Sequence, residues 1–150
     1  MSPGSVDHAS VALIGESGVL IRGASGSGKS SLLLAILSAE TGSTALVADD
    51  RVRLAAHHGR LVATCPDELA GMMEVRGTGI VRRPFVSPVV VDLVVDLAPA
   101  AVCPRLPLGE ADARVAVESV VVPRVFVPIG AVDGSLRVNT ALEQVAREKR

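Results

Sequence analysis

The chain has 150 residues, of which 49% are hydrophobic and 21% charged, and its 15 basic residues nearly balance its 16 acidic ones. This length suits one domain, residues 1–150, and the absence of Trp and Tyr leaves its core to aliphatic side chains, which suit buried strands. The near-zero net charge and the scarcity of aromatic residues exclude broad nucleic-acid binding, since phosphates and unstacked bases would find few partners.

Neither membrane insertion nor secretion is expected. The most apolar stretch, residues 86–102, is interrupted by Asp92, Asp96 and two prolines, and so falls short of a membrane span. The N-terminal segment lacks the basic start and apolar core of a secretory signal. Because Cys65 and Cys103 lie far apart without a ligand-like spacing, we expect a cytoplasmic protein with reduced, incidental thiols and no membrane partner.

In chain order, the first half predicts short strands around one helix. Residues 10–14 and 19–22 are apolar runs on either side of a tight turn, as in a pair of strands. Apolar side chains then recur at helical spacing within residues 30–40. The remaining predicted elements of this half are a strand at 44–48, a hairpin from 51–54 and 60–64, a helical turn or loop at 66–71 and a short strand at 73–75.

The second half predicts a long central strand and a terminal helix. The glycines of residues 77–79 indicate a flexible loop, and residues 89–97 are β-branched and apolar enough for a central strand. The prolines of residues 99–107 argue against regular structure there. The last predicted elements are one or two strands at 115–127, broken at Pro123, and a helix at 135–150.

A phosphate-binding loop is predicted between the second strand and the first helix. The segment Gly23-Ala24-Ser25-Gly26-Ser27-Gly28-Lys29-Ser30 matches the pattern G-x4-G-K-S, with the preceding strand and following helix that its mechanism requires. Glycines let backbone N–H groups turn towards a phosphate, and the start of the helix adds a favourable dipole. We expect Lys29 to reach the β- and γ-phosphates of a nucleoside triphosphate and Ser30 to bind Mg²⁺.

The acids that follow this loop do not by themselves define the reaction. Asp49 and Asp50 end an apolar strand, so at least one carboxylate is expected at the carboxyl edge of the sheet beside the phosphates. There it could bind Mg²⁺ or act as a base towards a hydroxyl group. Asp92 and Asp96 also follow apolar residues of a strand, and spacing alone leaves them as alternatives for the metal-binding role.

Together these motifs resemble the catalytic domain of the HPr kinase/phosphorylase family, bifunctional enzymes that phosphorylate a serine of the phosphocarrier protein HPr. The resemblance runs from His8 through GVLIRGASGSGKSS, LVADD, MEVRGTGI and, more loosely, PRLPLGE. The EVRGTGI segment discriminates best, because ordinary P-loop proteins have no counterpart to it. The resemblance implies an α/β fold: a P-loop nucleotide-binding domain with a mixed β-sheet, similar to HPr kinase and PEP carboxykinase.

The resemblance also implies how the nucleotide is held. Residues 23–30 would bind the phosphates of ATP, with Lys29 on the β- and γ-phosphates. Ser30 and Glu74 would be the two protein ligands of Mg²⁺.

Catalytic roles follow from the same resemblance. Asp50 would accept the proton of the substrate serine and return it in the reverse reaction, with Asp49 as an electrostatic or orienting partner. His8, which alone would be interpreted as a solvated residue, matches the family's active-site histidine. Arg76 matches a segment linked to both directions of catalysis, and Arg105 is a candidate for a later catalytic arginine.

Two departures from the family pattern bear on these expectations. Members usually carry a separate N-terminal domain, whereas His8 lies almost at the start of this chain, so a short form with the catalytic domain alone is expected. The family's arginine-rich loop corresponds here to residues 128–134, which lack those cations. The phosphorylase direction linked to that loop is therefore left open.

The sequence thus predicts an ATP- and Mg²⁺-dependent serine kinase that acts on an HPr-like carrier protein. In the reverse reaction, inorganic phosphate would attack the phosphoserine and pyrophosphate would leave. The resemblance adds a homo-oligomer, a hexamer in this family. Two alternatives remain: a P-loop kinase for a small-molecule hydroxyl, with Asp50 as the base, and a non-catalytic regulator that senses ATP through the same loop.

Overall fold

The fold is built on a curled, mixed β-sheet, seen in a computed structural model that describes residues 4–39, 43–107 and 109–148. The strands are β1 (Ser5–Asp7), β2 (Ser10–Ile14), β3 (Ser17–Arg22), β4 (Thr44–Ala48), β5 (Val52–His57), β6 (Arg60–Thr64), β7 (Met72–Val75), β8 (Gly79–Arg82), β9 (Val89–Ala98), β10 (Arg114–Val117) and β11 (Val120–Pro128). The helices are α1 (Lys29–Ser38), α2 (Glu110–Ala113) and α3 (Gly134–Glu148), with 3-10 turns at Asp67–Leu69 and Ala100–Val102.

Strand β9 lies at the centre of the sheet. The strand order is β1-β5-β6-β9-β3-β2-β4, and β11 pairs with the second half of β9, with β10 beyond it. β9 runs parallel to β3 and β11, whereas β2 is antiparallel to both β3 and β4. The predicted α/β fold with a mixed sheet is therefore confirmed. β7 and β8 form a separate two-stranded hairpin.

Aliphatic side chains fill both faces of the sheet, as the composition predicts. Leu93 and Leu97 of β9 pack on the face covered by α1 and α3, while Val94 points to the opposite face. The β5–β6 hairpin covers that opposite face with the buried Leu54 and Leu61. Burying one such side chain contributes about 1.5–3 kcal/mol, so these two apolar layers supply much of the force that holds the sheet together.

Most predicted elements are confirmed within three residues at each end. The first helix is α1, the terminal helix is α3, and the predicted turn at 66–71 contains the 3-10 turn Asp67–Leu69. Residue 40 of the first predicted helix and residues 149–150 of the last lie outside the described residues. The confirmed strands are β2 to β7 and β9, and the region predicted as one or two strands at 115–127 contains β10 and β11. No helix in the described ranges is long and apolar enough to cross a membrane.

The prediction of a flexible loop at residues 77–79 is wrong. Gly77 and Gly79 have φ angles of +87° and +102°, which glycine adopts without steric cost. The N–H of Thr78 donates a hydrogen bond to the carbonyl of Val75 over 3.0 Å. The two glycines therefore form a tight turn that pairs β7 with β8, a strand that the sequence did not indicate.

The strand break predicted at Pro123 is also wrong. Residues 120–123 of β11 pair with β10, and residues 124–128 pair with β9. Pro123 lies where the strand changes its partner, so its missing N–H donor is tolerated there. Farther upstream, the proline-rich residues 99–107 are mostly irregular as predicted, but Ala100–Val102 forms one 3-10 turn after Pro99.

Candidate active site

Four strands end at one edge of the sheet. β3, β9 and β11 are parallel, β4 runs in the same direction because both β3 and β4 are antiparallel to β2, and β2 begins at this edge. Open α/β sheets bind their ligands beside the carboxyl ends of strands. In spatial order the edge carries Asp49 and Asp50 after β4, His8 and Ser10 at the start of β2, residues 23–30 after β3, Leu97 near the end of β9 and Pro128 at the end of β11.

The phosphate loop, residues 23–30, packs tightly at its base. A Cβ atom on Gly23 would lie 2.4 Å from Ser27 Oγ and 3.1 Å from Leu97 Cβ, so a larger residue there would displace the Ser27 hydroxyl and crowd Leu97. Gly28 precedes α1 with a φ of +96°, a left-handed conformation that favours glycine. This close packing holds the N-terminus of α1, with its free N–H groups, at the sheet edge.

Two polar side chains of the loop are ready for an anion. Lys29 is largely buried, and its Nζ donates hydrogen bonds to the carbonyls of Gly23 and Ala24 over 3.0 and 3.1 Å. The hydroxyl of Ser27 is buried and has no hydrogen-bond partner among the described residues. Phosphate oxygens would satisfy the ammonium group better than neutral carbonyls, because charge-assisted hydrogen bonds are roughly twice as strong. The loop therefore fits the phosphates of a nucleotide.

Asp49 lies beside the phosphate loop at the end of β4. Its carboxylate is buried and accepts hydrogen bonds from Ser30 Oγ (2.7 Å), Ser10 Oγ (2.9 Å) and the backbone N–H of Glu74 (3.2 Å). It thus connects α1, β2 and β7. In P-loop NTPases, Mg²⁺ is held by the loop's Ser or Thr and by an Asp that follows a neighbouring strand. The Ser30–Asp49 pair has the residue types and contact that such a metal site needs.

Asp50, the next residue, has the opposite environment. Its side chain is 67% exposed, and its Oδ1 lies 3.8 Å from Nδ1 of His8, whose side chain is 74% exposed. Its backbone N–H donates to Ser10 Oγ over 3.3 Å, and its φ of +70° is uncommon for a residue other than glycine. This turn directs the Asp50 carboxylate to solvent, where a hydroxyl on another molecule can approach it.

Glu74 and Arg76 belong to the β7–β8 hairpin next to these acids. The backbone of Glu74 bonds to Asp49, while its side chain is exposed on the strand. Arg76 is exposed and forms no ion pair within the described residues. Both side chains are therefore free to reach towards ligands at the sheet edge.

Asp92 and Asp96 do not share the surroundings of Asp49. Asp96 accepts two hydrogen bonds from Arg22 and one from Arg124, and it points to the face of the sheet opposite α1. Asp92 lies six residues before the end of β9, which is about 20 Å along a strand. Asp49 contacts Ser30, whereas Asp96 faces away from α1 and Asp92 lies far from this edge, so the geometry favours Asp49 over both alternatives.

Arg105 lies away from the phosphate loop. It is exposed and lines a separate cavity of about 460 Å³, next to Arg124 and Arg137, to which no residue of the phosphate loop contributes. The structure therefore does not bring Arg105 to the phosphate loop of its own chain, and its catalytic role stays a prediction.

One contributor to the site was missed from the sequence. Ser10 is fully buried and donates its hydroxyl to Asp49 while accepting from the backbone of Asp50. In the sequence, the only indication of this role is that Ser10 is a polar residue at the start of an otherwise apolar strand. The described residues contain no group of three or more His, Cys, Asp or Glu that could hold a metal ion.

The chain is similar to known proteins of one family. The family model described as HPr Serine kinase C-terminal domain matches residues 1–149. Among solved structures, the HPr(Ser) kinase/phosphatase from Coxiella burnetii has a TM-score of 0.82 and 26% sequence identity, over 97% of this chain and 98% of that chain.

A curated relative matches a shorter part. The HPr kinase/phosphorylase of Clostridium tetani (strain Massachusetts / E88) is 42% identical over 67 residues, which cover 45% of this chain and 21% of that protein. The matched part thus spans about a fifth of the relative's length. With a family model over nearly its whole length and a closely similar solved structure, the chain belongs to the family of HPr serine kinase C-terminal domains.

Proposed function

We propose that this domain transfers the γ-phosphoryl group of ATP to a serine hydroxyl of an HPr-type phosphocarrier protein. The observation that carries the proposal is the pair of adjacent carboxylates at the phosphate loop. Asp49 is buried against Ser30, and Asp50 is exposed beside it. Phosphoryl transfer needs bound phosphates on one side and a hydroxyl with a proton acceptor on the other, and this pair of environments supports both.

Binding of ATP would use the loop as it stands. Lys29 exchanges its two carbonyl partners for phosphate oxygens, and the N–H groups at the start of α1 bind the same phosphates. Ser30 and Asp49 would hold Mg²⁺, and Glu74 would supply the further carboxylate that the family resemblance implies. When bound, Mg²⁺ neutralises charge on the phosphate oxygens.

Asp50 acts on the acceptor. The serine hydroxyl attacks the γ-phosphorus, the bond from that phosphorus to the β–γ bridging oxygen breaks, and the hydroxyl proton passes to Asp50. His8, 3.8 Å from Asp50, orients this carboxylate. In the reverse direction an oxygen of inorganic phosphate attacks the phosphorus of the phosphoserine and the bond from that phosphorus to the serine oxygen breaks. Pyrophosphate is formed, and Asp50 returns the proton to the serine oxygen.

The surroundings of Asp50 favour a protein acceptor. The β7–β8 hairpin next to it exposes Arg76, Arg82 and Ile80, and Ile80 is 65% exposed. Metabolites usually bind in enclosed pockets, whereas this site is open and is flanked by cations and an apolar side chain. Such a site suits the surface of a folded protein. A homo-oligomer, hexameric in the family, and a cytoplasmic location stay predictions.

The test is phosphorylation of a purified HPr-type carrier protein by ATP and Mg²⁺, followed by mass spectrometry. We expect one phosphate on a serine, and we expect Asp50→Asn to slow its formation at least 100-fold while the Kd for ATP stays within about 2-fold. Asn also tolerates the left-handed backbone at this position. The control is Asp67→Asn, an exposed acid of the 3-10 turn. An unlabelled carrier, or full activity of Asp50→Asn, contradicts the proposal.

A further inference from the structure

Ser10 is a buried polar residue to which the reaction described above gives no role. It is the first residue of β2, it is fully buried, and the rest of its strand is apolar. The last residue of β4, Ala48, pairs with Val11, so the chain that continues from β4 into Asp49 and Asp50 passes alongside Ser10. A buried polar side chain needs hydrogen-bond partners, and Ser10 finds both of its partners in these two acids.

The hydroxyl of Ser10 connects the two acids in a fixed direction. It donates its single proton to Oδ1 of Asp49 over 2.9 Å, and its oxygen accepts the backbone N–H of Asp50 over 3.3 Å. A carboxylate accepts and an N–H donates, so the two roles cannot be exchanged. The charge of Asp49 polarises the hydroxyl, and this strengthens its oxygen as an acceptor for Asp50.

The backbone at Asp50 needs this support because it forms a strained turn. The N–H of Arg51 donates to the carbonyl of Asp49 over 2.9 Å, which closes a three-residue turn with Asp50 at its centre. The φ of Asp50 is +70°, and three-residue turns with such a central residue are rare and strained. A conformation of this kind persists only where the surrounding structure holds it. The hydroxyl of Ser10 holds it from the buried side of the turn.

We propose that Ser10 is a positioning residue for the proton acceptor of the kinase reaction. Anchored on the buried Asp49, it holds the turn in which Asp50 directs its exposed carboxylate to the acceptor hydroxyl. His8, two residues earlier, lies 3.8 Å from this carboxylate on the exposed side. The start of β2 therefore supports Asp50 at its backbone and at its side chain. The inference rests on the proposed role of Asp50 and adds the group that aims its carboxylate.

The variants separate the hydroxyl from the volume of the side chain. Ser10→Thr and Ser10→Val add nearly the same volume and differ by one hydroxyl, so their difference reports the two hydrogen bonds. Ser10→Ala removes the hydroxyl without adding volume. Ser17→Val is the matched control, because Ser17 is partly buried at the opposite end of the β2–β3 hairpin, where it pairs with Ile14.

The first measurement uses the ligand-free protein and follows hydrogen exchange at the Asp50 amide by NMR. We expect exchange about 10-fold faster than wild type in Ser10→Val and Ser10→Ala, and within about 3-fold of wild type in Ser10→Thr and Ser17→Val. Exchange that is equal in Ser10→Thr and Ser10→Val, or unchanged in Ser10→Ala, overturns the inference and leaves the proposed function in place.

The second measurement is phosphorylation of the purified HPr-type carrier protein. We expect Ser10→Ala and Ser10→Val to lower kcat about 10-fold and Ser10→Thr to keep it within about 3-fold of wild type. The KM for the carrier and the Kd for ATP should change less than about 3-fold, because Ser10 is buried behind both acids and would touch neither ligand.

The same substitution in an Asp50→Asn background separates aiming from general packing. Once the carboxylate is gone, Ser10→Val should slow the reaction less than about 2-fold further. An equal loss of kcat in both backgrounds, or a loss confined to KM or Kd, overturns the inference while the proposed function stands. A wild-type protein that leaves the carrier unlabelled overturns the proposed function and this role with it.

Discussion

Asp49 and Asp50 are neighbours in the chain with opposite surroundings. Asp49 is buried and accepts three hydrogen bonds, whereas Asp50 is mostly exposed and turns outward on a left-handed backbone. The sequence predicts the pair from the strand that precedes it. It does not distinguish their surroundings, because the donors to Asp49 come from Ser10, Ser30 and Glu74, which are distant in sequence.

This contrast predicts different effects of the same substitution. Asp49→Asn removes the negative charge that faces Ser30 and replaces one carboxylate oxygen with an amide NH₂ group, which cannot accept a hydrogen bond. At least one of the donors to Asp49 therefore loses its acceptor. Each lost hydrogen bond of a buried group costs about 1–3 kcal/mol. We expect the Kd for ATP in the presence of Mg²⁺ to rise at least 10-fold in calorimetric titrations, with a smaller change when Mg²⁺ is omitted.

Asp50→Asn is the matched control for that measurement. Its carboxylate is exposed, so ATP binding should stay within about 2-fold of the wild-type value. Equal losses of Mg²⁺-dependent ATP binding in the two variants would contradict the separation of roles.

The two cysteines also differ in their surroundings. Cys65 is buried, and burial raises the pKa of its thiol, with the nearby Glu68 and Asp67 raising it further. Cys103 is partly exposed. Since the thiolate is the nucleophile, a raised pKa lowers the reactive fraction of Cys65 at any pH below that pKa.

Alkylation should therefore proceed first at Cys103. We expect peptide mass spectrometry after iodoacetamide treatment of the native protein at pH 8 to show Cys103 modified at least 10-fold faster than Cys65. Unfolding in urea should bring the two rates together. Faster modification of Cys65 in the native protein would show that its burial and raised pKa do not govern its reactivity.

At the scale of elements, apolar runs predict the strands of the main sheet well. The central β9 is predicted almost to the residue because it is largely buried and is rich in valine and leucine over its whole length. β8 is missed because it pairs only with β7 and exposes most of its residues, so it carries no apolar pattern. Strand existence is thus predictable where burial imposes a pattern, and not where only pairing holds the strand.

The side chain of Asp96 connects the three parallel strands β3, β9 and β11. Its carboxylate in β9 binds Arg22 at the end of β3 and Arg124 in β11. We expect Asp96→Asn to lower the free energy of unfolding by about 1–3 kcal/mol, because two guanidinium groups lose their counter-charge. In thermal denaturation this corresponds to a fall in Tm of roughly 3–10 °C.

The same variant tests the assignment of the metal site. Because Asp96 faces away from α1, ATP binding in the presence of Mg²⁺ should stay within about 2-fold of wild type. Loss of this binding with unchanged Tm would instead identify Asp96 as the metal ligand.

At the scale of the whole molecule, one edge of the sheet collects every group that the proposed reaction uses. The phosphate loop stands in the middle, and the acids and the β7–β8 hairpin lie on its β4 side. A nucleotide lying across this edge would point its γ-phosphate at the exposed Asp50. The arrangement depends on a strand order in which β2 and β3 lie between β4 and β9, although β4 is the next strand after β3 in the chain.

The sequence by itself determined the phosphate loop, the family and most of the strands, because each depends on neighbours in the chain: glycine spacing, motif order and apolar periodicity. Only the tertiary structure decided that Asp49 rather than Asp96 meets Ser30, that Arg105 lies away from the loop, and that Ser10 contacts both neighbouring acids. These facts follow from strand order and from the face to which a side chain points, and neither is encoded by local pattern.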